Sequence, residues 1–461
     1  MLQKGICLFT GLLLGFTTCT TLANKAYGSS PDTTITQQEK KVADWNVICY
    51  FNGDNNLGTY MVNIIDRLER KSPSSENVNV LVLYDGYEQM NPDWKGTKFV
   101  HVKEDMQDGI NSPMIDKGEL DMGSPGPLEN LIKEALTKYP SKKNMLIFFS
   151  HGYGTVGDTP LGYKKRFSLS PDNTSNSGLT IEETHLAIKR ALDAVNKGKK
   201  LDAIVMMSCV TNMLGFNYPF RDITKVVVGS EDVIQFDRAE SVGREGINIW
   251  AIVQKLKECP DINKEELTKH IIDTSMKPYK KILDPYRGKD PKDINVTTLK
   301  GLAQGGLAGI DNEKMDGFMV YFNEFSDLLK GKLENIETQK ATVNTLAQAV
   351  RKTRRYFGVE RHDLYNLLEE IEKNTSDKDI KATSSKVRAF LKEDLIIYER
   401  YEYFYPELNS HGLSIFIPYP TQGDDEFRKC QDYYKDSEFA RDTSWDEVID
   451  LYKEGVKKLS K

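Results

Sequence analysis

Short, continuous apolar runs recur through the first half of the chain and stop in polar or glycine-rich turns. A run of this kind predicts a strand that is buried on both faces, as in the parallel sheets of α/β proteins. The segments between the runs carry apolar residues at helical spacing, which predicts crossover helices near 59–70, 127–136 and 180–195. Because strand, helix and strand form a right-handed crossover, we expect the strands to lie parallel. The predicted strands cover residues 45–51, 78–85, 144–149, 202–207 and 225–230.

The second half of the chain has a mainly helical pattern. Amphipathic segments occupy 318–333 and 339–356, and a strand returns near 412–418. A cluster of proline, glycine and charged residues at 285–295 indicates a soft boundary. The pattern therefore predicts an α/β/α sandwich with a mainly parallel central sheet, followed by a mostly helical C-terminal region. The predicted domains are residues 42–290 and residues 291–461, the latter including the returning strand.

The first thirty residues differ in composition from the rest. Lys4 precedes an apolar stretch at 6–16, which is too short to span a bilayer, and small and hydroxyl residues follow. This order is typical of a secretory signal peptide, here about residues 1–23, and the polar residues 24–41 are expected to be flexible. We therefore expect a secreted, periplasmic or outer-surface bacterial protein. A loose resemblance to a bacterial lipobox leaves lipid attachment at Cys19, and with it membrane association, open.

Charge and cysteine content narrow the class of protein. The chain has 461 residues and a formal net charge of −6, with basic residues spread along it, so nucleic acid is not expected as a partner. Four cysteines remain after the predicted signal, and none has the spacing of a zinc site or a disulfide scaffold. They are Cys49, Cys209, Cys259 and Cys430.

Two of the predicted strands end on reactive side chains. The run at 144–149 leads into Ser150 and His151, and the run at 202–207 leads into Ser208 and Cys209. Since the carboxyl ends of parallel strands meet at one edge of a sheet, His151 and Cys209 are expected to lie close together. A cysteine and a histidine are the minimum parts of a thiol nucleophile and its base. The alternative is a buried core cysteine and a hydrogen-bonded loop histidine.

Glycines surround the histidine in the sequence His151-Gly152-Tyr153-Gly154. A tight turn here leaves the N–H of Gly152 open, and with the N–H of Cys209 it is a candidate oxyanion hole for a tetrahedral intermediate. In this hypothesis Cys209 attacks a carbonyl carbon and His151 protonates the leaving amine. The sequence contains no Gly-x-Ser-x-Gly elbow, His-Glu-x-x-His pair or Gly-x-x-x-x-Gly-Lys phosphate loop that would offer a competing centre.

Four sequence blocks occur in a characteristic order: residues 50–57 (Tyr-Phe-Asn-Gly-Asp-Asn-Asn-Leu), 121–125, 146–154 and 412–415. Together they resemble the clostripain family of cysteine peptidases, in the same clan as caspases, legumains and gingipains. The resemblance implies a caspase-like sheet and a His151/Cys209 dyad. It also implies protein or peptide substrates cleaved after basic residues, dependence on calcium and self-cleavage to a two-chain form.

The residue two positions before the candidate nucleophile departs from the family pattern. Members selective for Arg or Lys usually carry Asp there, and this chain has Met207. A basic substrate side chain then needs another acidic partner, because an unpaired buried cation is costly. Glu231, Asp232 and Asp237 are the candidates near the end of the next strand. The other possibility is a pocket at Met207 that prefers an apolar or small side chain.

A polar loop at 161–178 separates the two candidate catalytic residues and contains Lys164, Lys165 and Arg166. Exposed polar loops are favoured sites of proteolysis. These three residues are therefore candidates for self-cleavage, or alternatively they are solvated surface charges.

Only the resemblance to the family implies that calcium is needed. Asp54, Asp85 and Asp121 occupy loop positions where oxygen ligands gather, but the chain has no calcium-loop spacing of the EF-hand type. The metal ligands are left unassigned.

The sequence thus favours a secreted cysteine endopeptidase that acts through Cys209. One alternative is a caspase-like binding or scaffold protein at the cell surface with weak turnover, which the departure at Met207 would explain. Another is a thiol acyltransferase that uses the same pair of residues.

Overall fold

A nine-stranded sheet forms the centre of the structure, a computed structural model that describes residues 41–155, 168–235, 246–294, 305–356, 360–404, 410–421 and 434–459. The five strands in the middle of the sheet are those that the apolar runs predict. In chain order the strands are β1 (Ala43–Gly53), β2 (Val78–Gly86), β3 (Gly96–His101), β4 (Met114–Gly118), β5 (Ser141–Phe149), β6 (Leu169–Asp172), β7 (Ser177–Leu179), β8 (Ala203–Met207), β9 (Val226–Gly229), β10 (Gly305–Asp311), β11 (Arg361–Asp363), β12 (Ile396–Glu402) and β13 (Ser414–Phe416).

The main sheet has the strand order β12-β10-β9-β8-β5-β1-β2-β3-β4. Neighbours from β9 to β2 pair in parallel, whereas both edges are completed by antiparallel strands. Two small antiparallel pairs, β6 with β7 and β11 with β13, lie outside this sheet. The predicted α/β fold with a mainly parallel central sheet is confirmed.

Helices cover both faces of the sheet. Along β1, Ile48 and Tyr50 face one apolar core, and Val47 and Cys49 face the other. The helices are α1 (Gly58–Lys71), α2 (Pro125–Lys138), α3 (Ile181–Val195), α4 (Leu214–Asn217), α5 (Ile249–Glu258), α6 (Lys264–Leu283), α7 (Met315–Glu334), α8 (Gln339–Lys352), α9 (Leu364–Asn374), α10 (Lys378–Phe390), α11 (Glu438–Asp442) and α12 (Trp445–Leu459), with short 3-10 turns at Pro92–Trp94, Tyr218–Asp222, Asp284–Tyr286 and Pro291–Asp293 and a π-helical turn at Leu391–Leu395. The first core contains residues of α2 to α4 and α7 to α12, and the second contains residues of α1, α5 and α6.

The boundary predicted near residue 290 does not separate two domains. Strands β10 and β12, which come after it, extend the main sheet beyond β9. The helices of the second half pack into the same core as residues of β1 and β5, and Lys41–Lys461 forms one compact unit. Amphipathic periodicity predicts that a helix buries one face, but it does not reveal whether that face covers an existing sheet or a core of its own.

The predicted signal peptide, residues 1–23, and Cys19 lie outside the described residues, as does the polar segment up to residue 40. Their roles remain predictions from the sequence. Within the described ranges, no helix combines the length and apolar character needed to cross a bilayer.

Trp445 provides a test of whether sheet and helical layer form one folding unit. It is fully buried, its Nε1 donates to the backbone oxygen of Phe416 at 2.8 Å, and its ring packs against Phe322 and Phe325. We expect Trp445→Ala to lower the free energy of unfolding by about 3–5 kcal/mol, because a large cavity and an unpaired carbonyl remain. Urea unfolding followed by far-UV circular dichroism measures the loss.

The exposed Ile336→Ala variant serves as the control and should leave the free energy of unfolding within about 0.5 kcal/mol of the parent. A separate early transition of the helical layer in Trp445→Ala, with the sheet intact, would contradict the single unit.

Candidate active site at the carboxyl ends of the parallel strands

The histidine and cysteine singled out in the sequence follow two neighbouring strands of the sheet. Strand β5 ends at Phe149 and β8 ends at Met207, and these two residues pair directly in parallel register. Each strand therefore continues by one serine and then by His151 or Cys209 at the same edge. The structure brings the two residues to adjacent turns, as predicted.

The two turns also touch through their backbones. A β-carbon placed on Gly152 would lie 2.3 Å from the backbone oxygen of Cys209 and 3.0 Å from its backbone nitrogen. Real β-carbons do not approach other atoms so closely, so no side chain fits here without displacing Cys209. Glycine at position 152 thus allows the histidine turn and the cysteine turn to pack against each other.

Among the described residues, the ring of His151 forms a hydrogen bond with one side chain, the amide of Asn56 in the loop after β1. The distance from His151 Nε2 to Asn56 Oδ1 is 2.7 Å. An amide oxygen only accepts hydrogen bonds, so Nε2 carries the proton, and in the neutral ring Nδ1 is the nitrogen that has the lone pair. Burial lowers the pKa of His151, so the imidazole is neutral at neutral pH. Asn56 therefore orients a neutral imidazole, as a third residue does in nucleophile–base pairs.

The thiol of Cys209 has a different hydrogen-bond partner from the His151 ring. Its Sγ lies 3.9 Å from the backbone oxygen of Ile234, in the segment that follows β9. Burial raises the pKa of the Cys209 thiol to about 11, and the negative charge of Asp232 adds to the effect. Since reactive cysteines have lowered pKa values, this arrangement is that of a resting, protonated thiol.

A short hairpin braces the histidine turn. Tyr153 N donates to Ser168 O at 2.8 Å, and Ser170 N donates to His151 O at 3.2 Å. The hairpin β6–β7 is anchored in turn to the end of β1, because Asn52 Nδ2 donates to Ser170 Oγ at 2.9 Å. The two backbone hydrogen bonds of the histidine turn use the N–H of Tyr153 and the oxygen of His151, and they do not use the N–H of Gly152. The geometry is compatible with the predicted oxyanion role of that N–H.

The residues considered for substrate recognition occupy different environments. Met207 is fully buried in the core on one face of the sheet and presents no surface to a substrate, contrary to the pocket role considered for it. Asp232 is partly exposed, with 22% of its side chain accessible, and it lies beside the cysteine turn. Asp237 and the self-cleavage candidates Lys164, Lys165 and Arg166 lie outside the described residues.

Glu231 is buried, and its carboxyl group binds other groups in the protein interior. Its Oε2 accepts hydrogen bonds from Gly412 N at 2.7 Å and from the Tyr356 hydroxyl at 3.1 Å. Burial, reinforced by the charge of Asp363, raises the pKa of Glu231 well above its usual range. An enclosed carboxyl that is already bonded to Gly412 and Tyr356 is unsuited to pairing with a cationic substrate side chain, which is the correction the structure makes to this candidate.

An acidic cluster lies next to the histidine turn. One carboxylate oxygen from each of Asp54, Asp85, Glu119 and Asp172 lies within 4.8 Å of the others. Burial, with repulsion among the carboxylates, raises the pKa of Asp85 to about 8 and of Asp172 to about 7. Asp85 Oδ2 is buried and has no hydrogen-bond partner among the described residues. Hard oxygen donors crowded in this way suit a calcium ion.

The cluster shares its loops with the histidine site. Asp54 precedes Asn56 by two residues, and its backbone oxygen and carboxylate accept from Asn173 N at 2.9 Å and Thr174 N at 3.3 Å. Asp172 belongs to β6, the strand that braces His151. Asp121, named from the sequence with Asp54 and Asp85, is outside the cluster and accepts from Gly123 N and the Ser177 hydroxyl.

Sequence reasoning missed several residues of this site. Asn56 was visible only as one residue of an asparagine-rich turn, with nothing to show that it contacts His151. Glu119, directly after β4, and Asp172, at the end of β6, join the acidic cluster although no spacing rule connects them with Asp54. Arg361 is fully buried and donates from Nη2 to Tyr153 O at 2.9 Å, a contact across 208 residues of sequence. None of these pairings has a local signal.

The layered fold and the position of the histidine and cysteine define the caspase-like class of α/β/α folds. Residues 49–452 match the Clostripain family. The chain therefore belongs to the clostripain family of cysteine peptidases. Clostripain of Hathewaya histolytica is 24% identical over 189 residues, a segment that spans 38% of this chain and 35% of that protein.

Solved structures agree on the fold. An inactive zymogen C11 protease from Parabacteroides distasonis has a TM-score of 0.57 at 16% identity, over 87% of this chain and 98% of that one. A secreted C11 cysteine protease from Bacteroides thetaiotaomicron, solved with an irreversible peptide inhibitor, has a TM-score of 0.56 at 14% identity, over 89% and 99%. The caspase-like architecture thus extends through both halves of the chain.

The raised thiol pKa predicts the pH dependence of alkylation. In a variant with Gln at positions 164, 165 and 166, the three self-cleavage candidates, the rate of iodoacetamide modification of Cys209 should rise about ten-fold per pH unit from pH 6 to 10. The reason is that the thiolate fraction keeps growing below a pKa of about 11. Mass spectrometry of the peptide that contains Cys209 measures the rate.

His151→Ala is the matched variant for this experiment. It should leave the profile unchanged, because ring and thiol have different hydrogen-bond partners in the structure. A plateau near pH 6 to 7 that disappears in His151→Ala would instead reveal a thiolate–imidazolium pair.

Proposed function

We propose that this protein is a secreted cysteine endopeptidase in which Cys209 is the nucleophile and His151 the acid–base partner. The observation that carries the proposal is the direct pairing of Phe149 with Met207, which sets the two residues at adjacent strand ends. Family membership supports the reaction class, and the relative solved with a peptide inhibitor supports a peptide or protein substrate.

The chemistry begins with the transfer of the Cys209 thiol proton to His151. The sulfur then bonds to the carbonyl carbon of the scissile peptide, and the carbonyl electron pair moves onto the oxygen. The N–H groups of Gly152 and Cys209 are proposed to stabilise this oxyanion. When the carbon–nitrogen bond breaks, His151 returns its proton to the leaving amine. Water then hydrolyses the thioester and regenerates the thiol.

The resting geometry is not yet set for this proton transfer. A thiol with a pKa of about 11 does not give its proton readily to an imidazole whose pKa is lowered by burial. Greater exposure of Cys209, or entry of Nδ1 of His151 into hydrogen-bond distance, would bring the two pKa values together. We therefore propose that a rearrangement beside the site precedes this proton transfer.

Self-cleavage at Lys164, Lys165 or Arg166 would supply such a rearrangement. The segment that contains them joins Thr155 to Ser168, and Ser168 O accepts directly from the histidine turn. A cut in this segment releases the chain on one side of the hairpin that braces His151. The relative described as an inactive zymogen supports the idea of a precursor in this family. Preference for Lys or Arg before the scissile bond is proposed on the family resemblance, with Asp232 as the acidic partner.

Secretion rests on the predicted signal peptide, residues 1–23, and on the relative that is described as secreted. The alternative is that the same N-terminal segment is a lipoprotein signal, with lipid attached at Cys19. Globomycin treatment and radiolabelled palmitate incorporation in the native host distinguish a lipoprotein from a freely released enzyme.

Calcium is proposed to bind the acidic cluster of Asp54, Asp85, Glu119 and Asp172. The four carboxylates and the unpartnered Asp85 Oδ2 support the assignment. The ion would neutralise the repulsion among the carboxylates and hold the loop that carries Asn56 against the hairpin, leaving the covalent steps to the protein's own residues.

Replacement of the nucleophile tests the function. Cys209→Ala should reduce cleavage of peptide reporters by about 10³-fold or more, since the residue that forms the acyl intermediate is lost. Cys259→Ala, which alters a cysteine outside the site, should retain the parent rate. Reporters with Lys, Arg, Leu or Ala before the scissile bond, together with mass spectrometry of new termini in the protein itself, reveal activity, preference and self-cleavage.

Unchanged cleavage by Cys209→Ala would contradict the proposal. A folded parent protein that neither cleaves nor reacts with electrophilic peptide probes would favour the scaffold alternative.

Calcium binding predicts a change in stability that does not depend on activity. In the Cys209→Ala background, calcium at 100 times its dissociation constant should add about 2.7 kcal/mol to the free energy of unfolding. Asp85→Asn and Asp172→Asn should remove most of this gain, because each replaces a ligand. Asp121→Asn, in the loop beside the cluster, should keep it. Differential scanning fluorimetry with and without chelator measures the effect, and an equal loss in all three variants would argue against the cluster.

A further inference from the structure

Asp232 lies on the wall of the candidate active site. Its backbone oxygen accepts from Val210 N at 3.1 Å, directly after the cysteine, and Ile234 O lies 3.9 Å from the Cys209 sulfur. The segment from Asp232 to Ile234 therefore runs alongside the nucleophile. A substrate side chain next to the scissile bond would enter near this segment.

Asp232 is the acidic candidate best suited to a cationic side chain among those in the described residues. Glu231 is enclosed by its bonds to Tyr356 and Gly412, and its side chain is turned away from solvent. Position 207, where the family usually has Asp, carries a buried methionine. Recognition of Lys or Arg on this wall therefore depends on whether Asp232 is free to bind it.

The chain itself already supplies a cation to Asp232. Arg354 Nη2 lies 3.5 Å from Asp232 Oδ2, and the Tyr403 hydroxyl donates to the same oxygen at 3.2 Å. The Arg354 guanidinium stacks over the ring of Tyr403 at 4.2 Å and lies 5.2 Å from that of Tyr356. Only 13% of the Arg354 side chain is exposed. An arginine between aromatic rings and an acid has the surroundings of a bound basic ligand.

The contacts that keep Arg354 beside Asp232 are incomplete, so a competing cation can displace Arg354. Its contact with Asp232 is long for a charged hydrogen bond and involves one nitrogen, whereas the best arginine–carboxylate pairs are bidentate. Arg354 Nε is buried without a hydrogen-bond partner among the described residues. An incoming guanidinium or ammonium group that bonds Asp232 more fully has an energetic advantage over the internal one.

We propose that Arg354 is a specificity-determining residue that competes with the basic side chain of the substrate for Asp232. The inference rests on the proposed peptidase function and adds a restraint to it. In the resting chain Arg354 neutralises Asp232, so a lysine or arginine must displace Arg354 before it binds. Substrates with an uncharged side chain at this position do not meet the competition.

The test compares Arg354→Met with the parent protein. Methionine keeps an unbranched apolar stem beside Tyr403 and removes the charge. For reporters with Lys or Arg before the scissile bond, KM should fall about ten-fold or more because the binding-competent state is no longer rare, with a smaller change in kcat. Reporters with Leu or Ala should change little. Arg355→Met is the matched control, because Arg355 is exposed and stacks on Tyr419 without an acidic partner in the described residues.

A binding experiment separates this inference from the catalytic proposal. Benzamidine, a small planar cation, should bind the Cys209→Ala protein at least about ten-fold more tightly when Arg354→Met is added, as measured by isothermal titration calorimetry. Adding Asp232→Asn should abolish the gain. If no variant cleaves any reporter but benzamidine binding still increases, the peptidase function fails and the competition stands.

The inference is overturned if Arg354→Met improves basic and uncharged reporters equally, or if benzamidine binds the parent as tightly as the variant. Thermal midpoints check that each variant is folded. If Arg354→Met is unstable, Arg354→Lys replaces it, since a lysine lacks the planar stacking and should give a smaller gain of the same kind.

Discussion

The parallel register of β5 with β8 is the constraint on which the site depends. Because Phe149 pairs with Met207, each strand delivers its reactive residue two positions later, and the two turns meet at one edge. A one-residue slip in this register would send every side chain of one strand to the opposite face of the sheet. Gly152 reinforces the arrangement, since the backbone of Cys209 occupies the space where a side chain would be. The strand pairing and this close approach together set the distance between the candidate base and nucleophile.

Later parts of the chain are tied to this edge by buried polar contacts. Asn212, three residues after the cysteine, donates from Nδ2 to Ala308 O and Gly412 O, both at 3.1 Å. Glu231 accepts from Gly412 N and Tyr356. Such groups are costly to bury alone, so each requires the partner that the other segment supplies. The helical second half is therefore part of the site's support and not an appended domain.

The charges around the site share a resting character. The Cys209 thiol has a raised pKa, the imidazole of His151 a lowered one, and Asp232 is paired with an arginine of the same chain. Burial, with repulsion among the carboxylates, raises the pKa values of Asp85 and Asp172 in the acidic cluster. Each of these is a state that a ligand, a cut or a cation would change. These features support the self-cleavage and calcium binding that we propose.

The sequence by itself determined the elements and the ends of the strands. Unbroken apolar runs identified the five central strands, periodicity located the crossover helices, and the strand ends placed His151 and Cys209 at one edge of the sheet. These inferences succeed because they depend on local spacing and on the rule that parallel strands present one edge. The tertiary structure alone decided that residues after 290 extend the same sheet, that Asn56 binds His151, that Met207 and Glu231 are enclosed, and that Arg354 reaches Asp232. Such contacts join residues far apart in the chain, and no periodicity or local propensity records which distant partner satisfies a buried polar group.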